Sequence, residues 1–351
     1  MSQHSDTTVL GFLLGHLAPA FDFSNVSIIA LTSAWWEKEP HPMTEIGVAE
    51  LPLPVLPFEG YGDMLFSHID SLLLRLNSTH ARIKPNAHLV NHFPGAGNVE
   101  KFNFGHTVFT DVGEARQGLF DIIVRPYEDG TLRPVVLLGH AVHNHMDRLK
   151  TALGIDLLSL GCIVRVLDTQ EMAKDRHIVA PVAGAKENMP ISLKHLVQHY
   201  KVMPNNLRTA GNDVVHIVLA AIITTLETEL YVNDDDGDKD TYKERLNALL
   251  NRMMQMGKMK PPQNWGSPVF CTRCDRTNHF RDECRANYIV CAICSASPSA
   301  KNRAGARTHQ TNKCLFAPIP VPNTTGAVAA TMTGKTGSTA VGPRPGRATM
   351  K

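Results

Sequence analysis

Six of the chain's seven cysteines lie within 44 residues, between Cys271 and Cys314. A stretch this short cannot own an apolar core, so its order must come from cross-links or bound ions. The segment CTRCDRTNHFRDEC sets Cys271, Cys274, His279 and Cys284 at the spacing C-x2-C-x4-H-x4-C. The tight C-x2-C turn aims two thiolates at one point. The histidine and cysteine that follow complete a soft and borderline donor set, the kind tetrahedral zinc prefers. A second set, Cys291, Cys294, His309 and Cys314, repeats the ends of the first with the spacing C-x2-C-x14-H-x4-C. Its middle, SASPSAKNRAGART, is a basic loop rich in small residues. Two zinc ions are expected, both structural, because each set already supplies four protein donors.

Disulfides are the competing use of clustered cysteines. The start of the chain, MSQHSDTT, has no basic leader, and the apolar stretch 9–21 is short and interrupted by His16 and Pro19. No segment reaches the length of a membrane span. An intracellular, reducing setting is expected, in the cytoplasm, the nucleus or both, where clustered cysteines bind metal. The seventh cysteine, Cys162, sits in the apolar run GCIVRVL and reads as a buried strand residue.

Charge divides the chain. Residues 257–351 hold 14 Lys and Arg against Asp275, Asp282 and Glu283, while the preceding residues hold 21 basic against 30 acidic side chains. Any polyanion contact is therefore expected in the C-terminal part. Ahead of it, VSIIAL and TEIGVAEL read as strands, RPVVLL as a central strand and 162–167 as another. Helical character falls on 63–76, 116–125, 143–153, 192–200 and 213–230, with a Gly/Asn/His-rich loop at 91–106. Strands alternating with helices predict an α/β domain with a mixed sheet. The expected organisation is a lead-in over 1–24, the α/β domain over 25–232, and an acidic break with a linker helix over 233–265. The two zinc clusters follow over 266–316, and a disordered tail over 317–351. The linker helix is expected to stop at Gly257.

The first cluster matches the zinc knuckle of retroviral nucleocapsids and related RNA-binding proteins. That resemblance implies contact with single-stranded nucleic acid, RNA foremost. Arg273, Arg276, Arg281 and Arg285 would track phosphates, and Phe280, next to His279, would stack a base. The alternative is that Phe280 packs on its own knuckle and the module only stiffens the chain.

Four stretches carry a second resemblance: VSIIALTSAWWEKEPHPMTEIGVAEL, FNFGH, VVLLGHAVHNHMDRLK and LRTAGNDVVHIVLAAI. Over roughly 25–230 the chain resembles DEDDh 3′–5′ exonuclease-like members of the ribonuclease H-like superfamily, in particular a fungal group with a Gfd-type C-terminal domain. Active members hold two divalent metals with four carboxylates, and a histidine helps activate water. At the matching positions this chain has Thr32 and Ala34 for the Asp-x-Glu of the first motif, and His145 for the second aspartate. Arg208 stands for the histidine of the third motif, and Asp213 alone is retained. One carboxylate cannot array two hard cations, so Mg²⁺ is not expected and the resemblance implies a pseudoenzyme. Arg208 is expected to fill the vacated region and pair with Asp213.

Glu45 is expected to be a structural hydrogen-bonding residue, Asp147 to face away, and Asp168 to end a strand or cap a helix. His140 and His143 are read as structural. Of Trp35 and Trp36, at least one is expected in the core, base stacking being the alternative. The leading functional expectation is a non-catalytic nucleic-acid-binding protein. The alternatives are a residual 3′–5′ exonuclease and a protein-interaction scaffold in RNA metabolism, with a protein partner at the former active-site cleft. No membrane partner is expected.

Overall fold

The computed structural model describes residues 4–18, 25–52, 61–182, 184, 186, 189–231 and 236–316. The tail expected over 317–351 lies outside the described residues. The sheet has six strands: β1 (Ser27–Trp35), β2 (Met43–Leu51), β3 (Asn77–Ile83), β4 (Thr107–Thr110), β5 (Val135–Gly139) and β6 (Ile163–Asp168). Their order is β4-β3-β2-β1-β5-β6. β2 runs antiparallel to both its neighbours, and the other pairings are parallel. This is a ribonuclease H-like sheet, as expected.

β1 reads as a continuous apolar run because it is covered on both faces. Ile28 and Ala30 enter one core, Ile29 and Leu31 the other. The first core lies under α1 (Asp6–Leu13), α2 (Gly62–Leu74), α5 (Thr169–Asp175), α6 (Leu193–His199), α7 (Ala210–Thr225), α8 (Glu227–Leu230) and α9 (Asp236–Met259). The second lies under α3 (Val112–Ile123) and α4 (Val142–Leu153). α7 is buried along its whole length except at Asp213, which fits its nearly all-apolar sequence. Its first turn presses on the sheet so closely that a Cβ on Gly47 would lie 1.9 Å from the Ala210 carbonyl oxygen. Because Gly47 pairs with Thr32, this contact brings the start of α7 beside the end of β1.

Three segments differ from the sequence expectation. The lead-in contains α1, whose Val9, Leu10 and Leu13 are buried in the first core. The expected linker helix is α9, which contributes Leu246, Leu249, Leu250 and Met253 to that same core. α9 also runs past Gly257. That glycine is no helix stop: a Cβ there would lie 2.3 Å from the Phe104 backbone, so it permits a close crossing. Strands β3 and β4 had no counterpart in the reading, since NSTHARI shows no apolar alternation. Its His80 and Arg82 are nevertheless buried.

β4 is the sheet edge, and residues after α9 cover it. Ser267 exchanges two main-chain hydrogen bonds of 2.8 Å with Phe109. Trp265 rests on α3, where a Cβ on Gly118 would strike its indole. This bridge occupies the outer edge of β4 at Phe109.

Candidate metal centres

The cysteine-rich segment folds into two groups of four donors. Cys271, Cys274, His279 and Cys284 place their ligand atoms within 4.8 Å of one another, as do Cys291, Cys294, His309 and Cys314. In the first group the C-x2-C turn is closed by main-chain bonds from Cys271 to the Arg276 carbonyl and from Asp275 to the Cys271 carbonyl. Asp275 takes the left-handed conformation that this turn requires, with φ of 62°. His279 directs Nε2 toward Cys274 Sγ at 3.4 Å, and its Nδ1 lies 2.7 Å from Asn278 Oδ1. An outer partner of this kind fixes ring orientation and tautomer in a metal-ligating histidine.

The second group is built the same way on a longer loop. Cys291 caps the short α10 (Ala292–Ser295), Cys294 lies within it, and α11 (Ala300–Ala304) occupies the ten-residue expansion before His309. His309 Nε2 lies 3.7 Å from Cys294 Sγ, while Nδ1 faces Thr308 Oγ1 at 3.0 Å. Three sulfurs and one imidazole nitrogen in each group, with an outer partner for each ring, fit a zinc ion without an open position.

The module is seated on the body. Phe270 packs on Phe109 with ring centroids 5.5 Å apart, and both are buried with Ala87. Lys313, buried beside Cys314, donates to the Thr272 carbonyl at 2.8 Å and to Asp275. Arg273 donates to the carbonyls of Cys284 at 3.0 Å and Arg307 at 2.8 Å. Its guanidinium thus joins the two groups. Arg276 lies over the Tyr288 ring at 5.9 Å. Phe280, Arg281 and Arg285 are exposed.

On the body, the positions singled out by the resemblance gather at one end of the sheet. His145, in the first turns of α4, reaches β1. Its Nδ1 is 2.8 Å from Ser33 Oγ and accepts the Ser33 main-chain N–H at 3.2 Å, while Nε2 is 3.4 Å from Thr32 Oγ1. Burial, and then Arg148, lower the His145 pKa. Ser33 was not singled out from sequence, and nothing in its local pattern marks it.

Ala34 pairs with Glu45 across the ladder. Glu45 is buried and accepts from His80 Nε2 at 3.0 Å and from the Ala210 main-chain N–H at 2.9 Å, a structural hydrogen-bonding role. Asp213 accepts the Arg208 main-chain N–H at 2.7 Å. Burial pushes its pKa up to about 7, opposed by that hydrogen bond and reinforced by Glu45. The expected side-chain pairing of Arg208 with Asp213 is not formed. The exposed guanidinium lies over Phe93 at 5.1 Å and donates to the Pro94 carbonyl at 3.4 Å. The left-handed backbone of Arg208, φ 66°, turns its N–H rather than its side chain toward the carboxylate.

Asp168 and His140 are structural as well. Asp168 ends β6 and caps α5, accepting from Gln170 at 2.9 Å and from the N–H groups of Ala141 at 3.0 Å and Val142 at 2.9 Å. His140 bonds Thr169 Oγ1 at 2.8 Å, and burial lowers its pKa to about 4. His143 and Asp147 are exposed. Trp36 is buried, whereas Trp35 is half-buried with Arg148 4.6 Å from its ring. The Gly/Asn/His-rich loop at 91–106 crosses this end. Asn91 bonds Glu37 and the Trp35 carbonyl, and Asn98 bonds Asn206.

Comparison with family models matches residues 27–224 to the family described as DNA polymerase III subunit epsilon-like, C-terminal domain. No curated protein matches the chain. No helix among the described residues is long and apolar enough to cross a membrane.

Proposed function

Since the chain belongs to the DNA polymerase III subunit epsilon-like, C-terminal domain family, we propose that it is a non-catalytic nucleic-acid-binding protein. In this reading the exonuclease-like domain is a scaffold, and two zinc ions order a module that engages single-stranded nucleic acid, RNA foremost. The observation that carries it is the use to which the motif end puts its polar groups. Asp213, Glu45 and Asp168 each accept main-chain N–H groups, and His145 ties α4 to Thr32 and Ser33 by hydrogen bonds. These residues do not fit a pair of Mg²⁺ ions, which demand several converging oxygen ligands.

The basic excess of the C-terminal part supports polyanion contact there. One observation favours a residual nuclease: Asp213, with its raised pKa, stands near Glu45. The experiment uses zinc-loaded full chain with end-labelled single-stranded RNA, single-stranded DNA and duplexes. Binding is measured at two salt concentrations, and cleavage is followed in Mg²⁺ and Mn²⁺ beside Asp213→Ala. The proposal expects salt-sensitive binding to single strands without cleavage. Cleavage abolished by Asp213→Ala, or no binding to any strand, would overturn it.

A further inference from the structure

Two clefts lie where the zinc module meets the body, and they share a wall. The larger, about 550 Å³, opens between β4 and the first metal group, and Phe102, Phe270 and Phe280 supply aromatic lining. The smaller includes Cys294, His309 and Cys314 of the second metal group in its wall, together with His88, Arg273, Lys313 and Phe316, so part of it belongs to that metal group. Thr272 and Arg281 line both. The larger volume is within the range of small-ligand pockets.

The chemistry of the two clefts differs in a useful way. The larger balances Arg82 and Arg281 against Glu100 and Asp282, and Arg82 is already paired with Glu100. Its distinguishing feature is aromatic surface, with Phe280 45% exposed. The smaller has Arg273, Arg281 and Lys313 and no carboxylate among its described lining residues. His88, from the body, completes the wall. Phe316 adds a ring that is 65% exposed. Arg273 and Lys313 are held by protein carbonyls and Asp275. The Arg281 side chain has no ion pair or hydrogen bond among the described residues, and it stands on the ridge between the clefts.

We propose that the two clefts form one track for single-stranded nucleic acid, with a base against Phe280 in the larger, the phosphodiester crossing at Arg281, and the next nucleotide beside Phe316 and His88. Two exposed aromatic rings on either side of a free guanidinium are the arrangement that tracks a flexible strand, whereas a duplex would present no splayed base. The track rests on the nucleic-acid reading above and adds that the body is part of the binding surface: Phe102 and His88 come from the exonuclease-like domain, not from the zinc module.

The test is fluorescence anisotropy of a labelled single-stranded oligonucleotide with the full, zinc-loaded chain. Arg281→Glu is compared with Lys301→Glu, an exposed lysine in the loop of the second metal group that lines neither cleft. Arg281→Glu is expected to weaken binding about tenfold or more, and Phe280→Ala about tenfold, while Lys301→Glu changes it less than about threefold. Retained zinc content in each variant shows that the metal groups remain formed. Photocrosslinking of the unaltered protein provides an independent readout, with adducts expected at Phe280, Phe316 or His88. Equal weakening by Arg281→Glu and Lys301→Glu, or crosslinks confined to residues outside both clefts, would overturn the track while leaving nucleic-acid binding intact. Failure of the unaltered protein to bind any oligonucleotide would overturn the underlying reading itself.

Discussion

The Ser33 hydroxyl and the His145 imidazole stand 2.8 Å apart, joining the end of β1 to the first turns of α4. Because the Ser33 main-chain N–H also points at Nδ1, that nitrogen is the acceptor, and Nε2 carries the proton toward Thr32. Replacing His145 with alanine leaves these groups without their partner. The expected loss is about 1–3 kcal/mol, read as a lower urea midpoint with an unchanged slope.

Asp168 holds Ala141 in the left-handed region, φ 52°, by accepting two successive main-chain N–H groups. Asp168→Ala should cost about 3 kcal/mol, since it frees those donors and removes the cap of α5. Ala141→Gly relieves the unfavourable backbone conformation and should raise stability by about 0.5–1 kcal/mol. Thermal denaturation of both variants checks the pair of opposite signs.

Gly47→Ala should be among the most damaging single-methyl additions. The new Cβ would meet the Ala210 backbone at 1.9 Å, which neither β2 nor α7 can yield without separating. A loss of about 3 kcal/mol or more is expected. Gly130→Ala is the comparison: nothing lies within 4 Å of its Cβ, so only the positive φ matters and the cost is about 1 kcal/mol.

The buried imidazoles set an acid limit. Burial lowers His140 and His216 from 6.5 to about 4. The unfolded chain therefore binds more protons between those values, and stability falls as pH drops from about 6.5 to about 4. Asp213 has the opposite sign: its pKa is raised from 3.8 to about 7, so its contribution is present at low pH and fades as pH rises through 7. Urea midpoints across pH 4–8 should show Asp213→Asn gaining on the unaltered protein as pH increases, while His216→Asn flattens the acid limb.

Cys271→Ser and Cys291→Ser should each remove one zinc ion from a chain expected to hold two. Metal analysis after gel filtration in reducing, chelator-free buffer checks the count. No zinc in the unaltered protein would contradict the assignment of either group.

The two donor groups were legible in the sequence because ligand identity and local spacing specify them. Strands β1, β2, β5 and β6 were legible from apolar runs. β3 was not, because its inward-facing His80 and Arg82 are satisfied by partners distant in sequence: Glu45 and Thr107 for the first, Glu100 and the Ala87 carbonyl for the second. Local hydropathy cannot register a polar strand residue made burial-competent by tertiary hydrogen bonds. Gly257 misled for a related reason, since a glycine that ends a helix and one that admits a neighbouring backbone look alike in sequence. The geometry of Arg208 depended on a single left-handed residue, and no residue type there announced it.

Arg273 and Lys313 each cross between the two metal groups: Arg273 reaches the Arg307 carbonyl from the first, and Lys313 reaches Thr272 and Asp275 from the second. Ordering either group therefore positions part of the other's frame. Metal uptake should then be cooperative, with singly loaded chains scarcer at half-saturation than two independent sites would give, so the protein would respond to zinc supply more as a switch than as a buffer.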